Sequence, residues 1–157
     1  MKTLRQEPVV RADMLIRKPV EEVFEAIVNP EVTTKFWFTK SSGKLEQGKS
    51  VRWDWEMYGV SSPVNVLELE ENKRIVMDWG DEGDLSRVEW TFASRSDGTL
   101  VSVANFGFQG DGDDVMNQAL DSTGGFTMVL CALKALLEHG VVLTVVADRA
   151  PDANVSY

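Results

Sequence analysis

A long amphipathic stretch near the C-terminal end of the chain, residues 113–139, constrains the fold most strongly. Its apolar or small residues recur at steps of three and four, which places them on one face of a helix: Val115, Ala119, Ser122, Phe126, Val129, Leu133 and Leu136. At about 1.5 Å per residue such a helix is roughly 40 Å long, enough to cross a small domain. This face must be covered, and because most of the preceding chain is typical of strands, a sheet is the expected partner.

The middle of the chain, residues 40–108, is typical of consecutive strands separated by short turns. Residues 51–57 alternate apolar and polar side chains without interruption, which predicts a half-buried strand. Its apolar face comprises Val51, Trp53, Trp55 and Met57. Further along, Ser96-Asp97-Gly98 favours a tight hairpin between two such strands.

The region before these strands predicts a first strand at residues 9–16 and two short helices, at 19–28 and 31–36. Pro19 suits a first helical turn, and Asn29-Pro30 interrupts the helical pattern. The element order is therefore a strand, two short helices, six consecutive strands and one long helix, which indicates an α+β fold built on an antiparallel meander. We treat residues 1–157 as one domain, with a core at about 8–140 and a C-terminal extension at 141–157.

Composition narrows the classes of partner and chemistry. The net charge of −9 argues against nucleic acid or an anionic membrane as a partner, because both require a basic face. No apolar run predicts a membrane span, and the first residues lack the apolar core of a signal peptide, so we expect a cytoplasmic protein. The chain has one cysteine, Cys131, and one histidine, His139, which excludes an intrachain disulfide and the usual zinc sites. We predict no metal and no cofactor.

Several short motifs, in their order and spacing, resemble one family of the START-like (SRPBCC) superfamily. That family is named for the C-terminal domain of the activator of the heat-shock-protein-90 ATPase. The motifs lie within residues 8–140: Ile16-Arg17-Lys18-Pro19-Val20-Glu21-Glu22-Val23-Phe24, Asn29-Pro30, residues 51–56, Arg74-Ile75-Val76-Met77-Asp78-Trp79, Gly107-Phe108, Gly124-Gly125-Phe126 and residues 130–140. The resemblance implies a helix-grip fold. In that fold a strongly curved seven-stranded antiparallel sheet wraps around the C-terminal helix and leaves an apolar cavity between them.

Strand alternation and the helix face then predict which side chains line such a cavity. Asn105 is included because it aligns with a position that usually faces inward in the family, and Trp37 is expected at the mouth. The predicted ligand-binding set is Trp37, Trp53, Trp55, Met57, Trp79, Trp90, Asn105, Phe126, Val129, Leu130 and Leu133. For any one of them, a plain core role remains the alternative. No catalytic residue is predicted, since Asp54 and Glu56 alternate with the tryptophans and should face solvent.

Two other features leave alternatives open. Gly124-Gly125 costs about 1 kcal/mol per glycine in a helix relative to alanine, so it predicts a kink, a break between two helices, or space for a ligand. Gly140 should end the long helix. Residues 141–146 are β-prone and predict a strand or extended segment packed on the domain, or an exposed edge used in dimerisation. Residues 148–157 are expected to be loose.

Three functions are compatible with these observations. The favoured one is a non-enzymatic binding module that encloses a small apolar or amphipathic ligand, because the alternation places few ionisable groups inside. The second is an enzyme of the cyclase or hydrolase kind, which would require an acid or base in the cavity. The third is a protein–protein interaction module, either chaperone-related or a regulator that forms a homodimer.

Overall fold

The computed structural model describes residues 3–155, in which seven strands form one curved antiparallel sheet. The strands are β1 Val10–Ile16, β2 Lys40–Ser41, β3 Ser50–Trp55, β4 Val60–Glu70, β5 Arg74–Trp79, β6 Ser86–Arg95 and β7 Gly98–Phe106. Their order across the sheet is β1-β7-β6-β5-β4-β3-β2. The predicted meander is therefore confirmed, and β1 extends it by pairing with β7, with Val10 opposite Asn105.

The helices agree with the predicted element order. They are α1 Val20–Val28, α2 Pro30–Thr33, α3 Gly112–His139 and α4 Val145–Asp148, with 3₁₀ turns at Glu56–Tyr58 and Pro151–Ala153. α3 begins at a capping box in which Asp111 and Asp114 bond each other's backbone N–H, and it ends at Gly140 with a φ of 64°. It runs without interruption through Gly124-Gly125, so the predicted alternative of a break between two helices is wrong.

The long helix lies on the concave face of the sheet. Phe126, Val129, Leu130 and Leu133 are all buried on it. By length and composition alone, α3 is the segment of residues 3–155 that could cross a membrane. Core helices of soluble proteins pass the same test, and the buried row on α3 packs against its own sheet.

The concave face is filled at one end by the short helix α1. Phe24 of α1 packs edge-to-face on Phe92 of β6, with ring centroids 5.1 Å apart, and Val23 and Ile27 are buried beside them. α1 does not cover the opposite end of the concave face, where β6 begins and β5 ends. The sheet and α3 therefore enclose a packed core at one end and leave space at the other.

One local prediction is wrong, and another is correct only in part. β3 ends at Trp55 and not at Met57, because the 3₁₀ turn Glu56–Tyr58 begins there and removes Met57 from the strand alternation. Residues 141–146 form no strand: they continue into α4, although Leu143 and Val145 do pack against the core as expected.

The segment after α4 is anchored, against the expectation of a loose tail. The backbone N–H of Val155 donates to the carbonyl of Met57 at 2.8 Å. Upstream, the Arg149 guanidinium pairs with Asp121 of α3. Residues 156–157, the end of the predicted loose tail, lie outside the described residues.

Candidate ligand-binding cavity

A cavity of about 530 Å³ lies between the sheet, α3 and the C-terminal segment (residues 141–155), at the end of the concave face that α1 leaves open. The sheet contributes residues near the ends of its strands, α3 contributes its middle turns, and the C-terminal segment forms part of the rim. The lining residues are Trp55, Val60, Ser62, Trp79, Ser86 and Asn105 from the sheet, Gln118, Asp121, Ser122, Gly125, Phe126, Met128 and Val129 from α3, Val146, Arg149 and Ala150 from the C-terminal segment, and Trp37, Tyr58, Gly80, Asp84 and Phe108 from turns and loops.

The structure divides the eleven predicted residues into two groups. Those that line the cavity are Trp37, Trp55, Trp79, Asn105, Phe126 and Val129. Those that do not line it are Trp53, Met57, Trp90, Leu130 and Leu133. Four of this second group are buried core residues behind the cavity wall, and Met57 lies half-buried in its 3₁₀ turn. Strand alternation identified the inner face correctly, but it carries no information on which part of that face stays open.

Trp37 is the centre of the aromatic wall. Its ring centroid lies 4.9 Å from that of Trp53, 5.9 Å from Trp79 and 5.8 Å from Phe126. It is 7% exposed, so it lies inside the molecule and not at the mouth as predicted. Together with Trp55, these rings give the cavity broad apolar surfaces of fixed orientation.

A neutral polar cluster interrupts this apolar wall. The Asn105 side chain is 1% exposed; its amide nitrogen donates to Ser86 Oγ at 3.0 Å and to the Arg87 carbonyl at 2.8 Å. Ser122 Oγ of α3 donates to Asn105 Oδ1 at 2.8 Å, and the Trp79 indole N–H donates to Ser86 Oγ at 3.1 Å. The cluster thus joins β5, β6, β7 and α3 at one point of the cavity wall.

Sequence reasoning found Asn105 and Trp79 but missed the two serines. Ser122 lies within the row of small and apolar positions on α3, and a hydroxyl in such a row was the available signal. Ser86 opens β6 opposite Trp79 in the sheet register, a relationship that becomes visible only when the strands are paired.

Within residues 3–155, the indole N–H of Trp90 is fully buried and lacks a hydrogen-bond acceptor. The Trp37 and Phe126 rings pack against the Trp90 ring, with centroids 5.8 Å away in both cases. Aromatic faces accept such donors only weakly, so this N–H is an energetic cost that the surrounding packing must outweigh.

The C-terminal segment forms a rim over the cavity. The Tyr58 hydroxyl donates to the carbonyls of Val146 and Ala147. The Arg149 guanidinium donates to Asp121 Oδ1 at 3.1 Å and lies against the backbone of Gly124 and Gly125. Of the alternatives for the glycine pair, space for a ligand is limited by Arg149, which a side chain at Gly124 or Gly125 would meet, although Gly125 does line the cavity.

The ionisable groups near the cavity lie at its rim. Asp84 and Asp121 are exposed, whereas the buried polar groups Ser86 and Asn105 are neutral. Asp54 lies outside the cavity lining, where a hydrogen bond from Ser61 and the adjacent Arg52 hold its pKa below the usual value. Within residues 3–155, no group of three His, Cys, Asp or Glu side chains is arranged to hold a metal ion.

A curved antiparallel sheet closed over a long C-terminal helix, with a cavity between them, defines a START-like domain of the helix-grip type. The chain belongs to the family described as Activator of Hsp90 ATPase homolog 1-like protein, whose model matches residues 17–138. This family is a soluble type of domain. The C-terminal segment, which contributes Val146, Arg149 and Ala150 to the cavity, lies beyond the matched part.

Solved structures agree with this assignment. The protein SSP2350 from Staphylococcus saprophyticus is 33% identical over 87% of this chain and 96% of its own, with a TM-score of 0.75. DynU16, a putative protein in the dynemicin biosynthetic locus, is 23% identical over 85% of this chain but only 48% of its own, with a TM-score of 0.75. The Aha1 dimer from Colwellia psychrerythraea is 17% identical over 85% and 98%, with a TM-score of 0.72. No curated protein matches the chain.

Proposed function

We propose that this protein binds a small apolar or amphipathic ligand in the cavity between the sheet and α3. The observation that carries the proposal is a space of about 530 Å³ that has aromatic walls and one neutral polar cluster. Small-molecule sites in proteins are typically concave, of some 300–1,000 Å³, mostly apolar, and provided with a few polar groups that orient the ligand. The cavity has each of these properties.

The distribution of charge supports binding over catalysis. General acid–base chemistry needs a titratable group within hydrogen-bonding reach of the reacting atoms. Here the wall carries neutral carboxamides and serine hydroxyls, while Asp84 and Asp121 lie exposed at the rim. Tyr58 also lines the cavity, but its hydroxyl already donates to the C-terminal segment.

Native mass spectrometry of the freshly purified protein, compared with its denatured mass, is the direct test. We expect a non-covalent adduct of defined mass, or, for a protein purified without ligand, saturable binding of the neutral fluorophore N-phenyl-1-naphthylamine. The proposal would be overturned if the protein showed no adduct and also failed to bind the fluorophore saturably.

Two matched phenylalanine variants locate the binding. Phe126 lines the cavity and Phe92 lies in the filled end, and both are buried. Phe126→Leu should weaken fluorophore binding about fivefold, because it removes an aromatic contact worth about 1 kcal/mol. Phe92→Leu should leave the affinity unchanged. Equal effects of the two variants would place the fluorophore elsewhere.

A second candidate is association with a copy of the same chain. Met116 and Leu120, one turn apart on α3, are 42% and 65% exposed, so they place two large apolar side chains side by side on the surface of the helix. The Colwellia psychrerythraea relative is described as a dimer. Light scattering after size exclusion tests this: a dimer that Leu120→Gln dissociates would support it, and a monomer at all concentrations would exclude it.

A further inference from the structure

We infer that the ligand of this cavity carries an uncharged oxygen, of the carbonyl or ether type, that accepts a hydrogen bond from the Ser86 hydroxyl. The inference rests on the proposed ligand-binding function and narrows it to one chemical class. It excludes ligands whose polar end is a carboxylate, such as free fatty acids.

The Ser86 hydroxyl can still donate one hydrogen bond. Its oxygen accepts from the Trp79 indole N–H at 3.1 Å and from the Asn105 amide at 3.0 Å. A serine hydroxyl has two acceptor lone pairs and one donor hydrogen, so these two bonds occupy both lone pairs. Among residues 3–155, no acceptor for the Ser86 O–H is present, although Ser86 is only 8% exposed and lines the cavity.

The donor and acceptor roles in this cluster follow from the chemistry of the groups and do not depend on how the Asn105 amide was oriented. The indole N–H of Trp79 can only donate, so Ser86 must accept there. The Arg87 carbonyl can only accept, so the Asn105 atom 2.8 Å from it must be the amide nitrogen, which also donates to Ser86. The amide cannot be flipped without placing two acceptors together. The Ser86 hydrogen therefore remains as the donor that this wall offers.

The charges around the cavity disfavour an anionic ligand. The cationic group on the rim, the Arg149 guanidinium, already donates to Asp121. Asp84 adds a second carboxylate to the rim, and the whole chain carries a net charge of −9. A carboxylate would have to lose its hydration for one neutral donor, whereas a carbonyl or ether oxygen loses far less. An uncharged acceptor matches a single buried O–H.

Three planar ligands of nearly equal size separate these cases: 2-acetylnaphthalene, its oxygen-free isostere 2-isopropenylnaphthalene, and the anionic 2-naphthoate. Their affinities are measured on the wild-type protein, on Ser86→Ala and on the control variant Ser94→Ala. We expect Ser86→Ala to weaken the binding of the ketone about three- to tenfold, which is the range for the loss of one neutral hydrogen bond. The same substitution should leave the affinity for the isostere unchanged. Ser94→Ala, which removes an exposed hydroxyl of the same strand outside the cavity, should leave the ketone-to-isostere affinity ratio unchanged.

Wild-type protein alone also decides the matter, should Ser86→Ala fail to fold. The infrared carbonyl stretch of bound 2-acetylnaphthalene should lie below its value in a solvent without donors. Any one of three results would overturn the inference while leaving the cavity as a binding site. These are a carbonyl stretch at the unbonded value, an unchanged ketone-to-isostere affinity ratio in Ser86→Ala, and tighter binding of naphthoate than of the two neutral compounds. Failure of all three compounds to bind would overturn the proposed function with it.

Discussion

Arg149 occupies the space that a side chain at position 124 would fill. A Cβ atom built on Gly124 would lie 3.1 Å from Arg149 Nη2, and one on Gly125 would lie 3.3 Å from Nη1. The same guanidinium pairs with Asp121, one turn earlier on α3. The two glycines thus allow the C-terminal segment to dock flat on the helix, which explains why a helix tolerates two residues of low helical propensity in its middle.

Gly124→Ala should loosen the C-terminal segment without unfolding the domain. Alanine favours the helix by up to about 1 kcal/mol, but its Cβ displaces the flexible end of Arg149. We expect faster hydrogen exchange at the amides of Asp148 and Arg149, which bond within α4, and a change in unfolding free energy below about 1 kcal/mol. Thr127→Ala, at an exposed position of the same helix, is the control and should leave these amides protected. Unchanged exchange in Gly124→Ala would contradict a role for the glycine in docking.

Asn105→Ala should destabilise the domain by about 2–4 kcal/mol. The substitution removes the partner of Ser122 and leaves the Arg87 carbonyl and the Ser86 oxygen each with one bond fewer in a buried region. Urea denaturation measures the loss. The control is Asn65→Ala, because the Asn65 side chain is only half-buried and accepts one bond from Ser50. Equal losses in the two variants would show that the cluster adds nothing to stability.

Gly98→Ala should be among the most damaging single changes to the fold. Gly98 begins β7 directly after the hairpin turn with a φ of 141°, and a Cβ there would lie 2.2 Å from the Ile16 carbonyl oxygen. The neighbouring strand must move or the hairpin must open, at a cost of some 3 kcal/mol or more. Gly48→Ala provides the comparison: its φ of 79° is also left-handed, but a Cβ there meets nothing. A thermal midpoint lowered less by Gly98→Ala than by Gly48→Ala would refute this reading.

Glu138 should make the stability of the domain depend on pH in the acidic range. Burial alone would raise its pKa, but hydrogen bonds from Lys134 and from the Arg17 backbone N–H outweigh burial and lower the pKa below the ordinary 4.5. A carboxyl whose pKa is lower in the folded state stabilises the fold above its unfolded pKa and loses that contribution as the pH falls through the folded value. Glu138→Gln should therefore cost about 1 kcal/mol at pH 7, and this difference from wild type should shrink as the pH falls below 4.5 and through the lower pKa of the folded state.

Denaturation curves of wild type and Glu138→Gln across this pH range check the prediction. The exposed Glu71, in the turn between β4 and β5, gives the control substitution Glu71→Gln. A difference between wild type and Glu138→Gln that persists unchanged at low pH would mean that packing, and not charge, is the source of the loss.

Local periodicity in the sequence determined the elements of this fold and most of their faces. The α3 stripe, the alternation around Trp53 and Trp90, and the Asp97-Gly98 turn each lie within a few residues, and the structure confirms them. Such patterns are reliable because the helical and strand repeats act on neighbouring side chains. The same patterns, read with the family resemblance, were enough for a seven-stranded sheet over one long helix.

Tertiary structure alone decided where the cavity lies and which residues form its neutral polar cluster and its rim. Ser86 contacts Asn105 and Trp79 only because β5, β6 and β7 pair in one register. Ser122, which follows Asn105 by 17 residues in the chain, joins them from α3. Residues 141–155 show no period of their own, and their conformation is set by Tyr58, Asp121 and the glycine pair. Contacts between distant residues depend on which packing excludes most water, and no repeat within a single segment records that outcome.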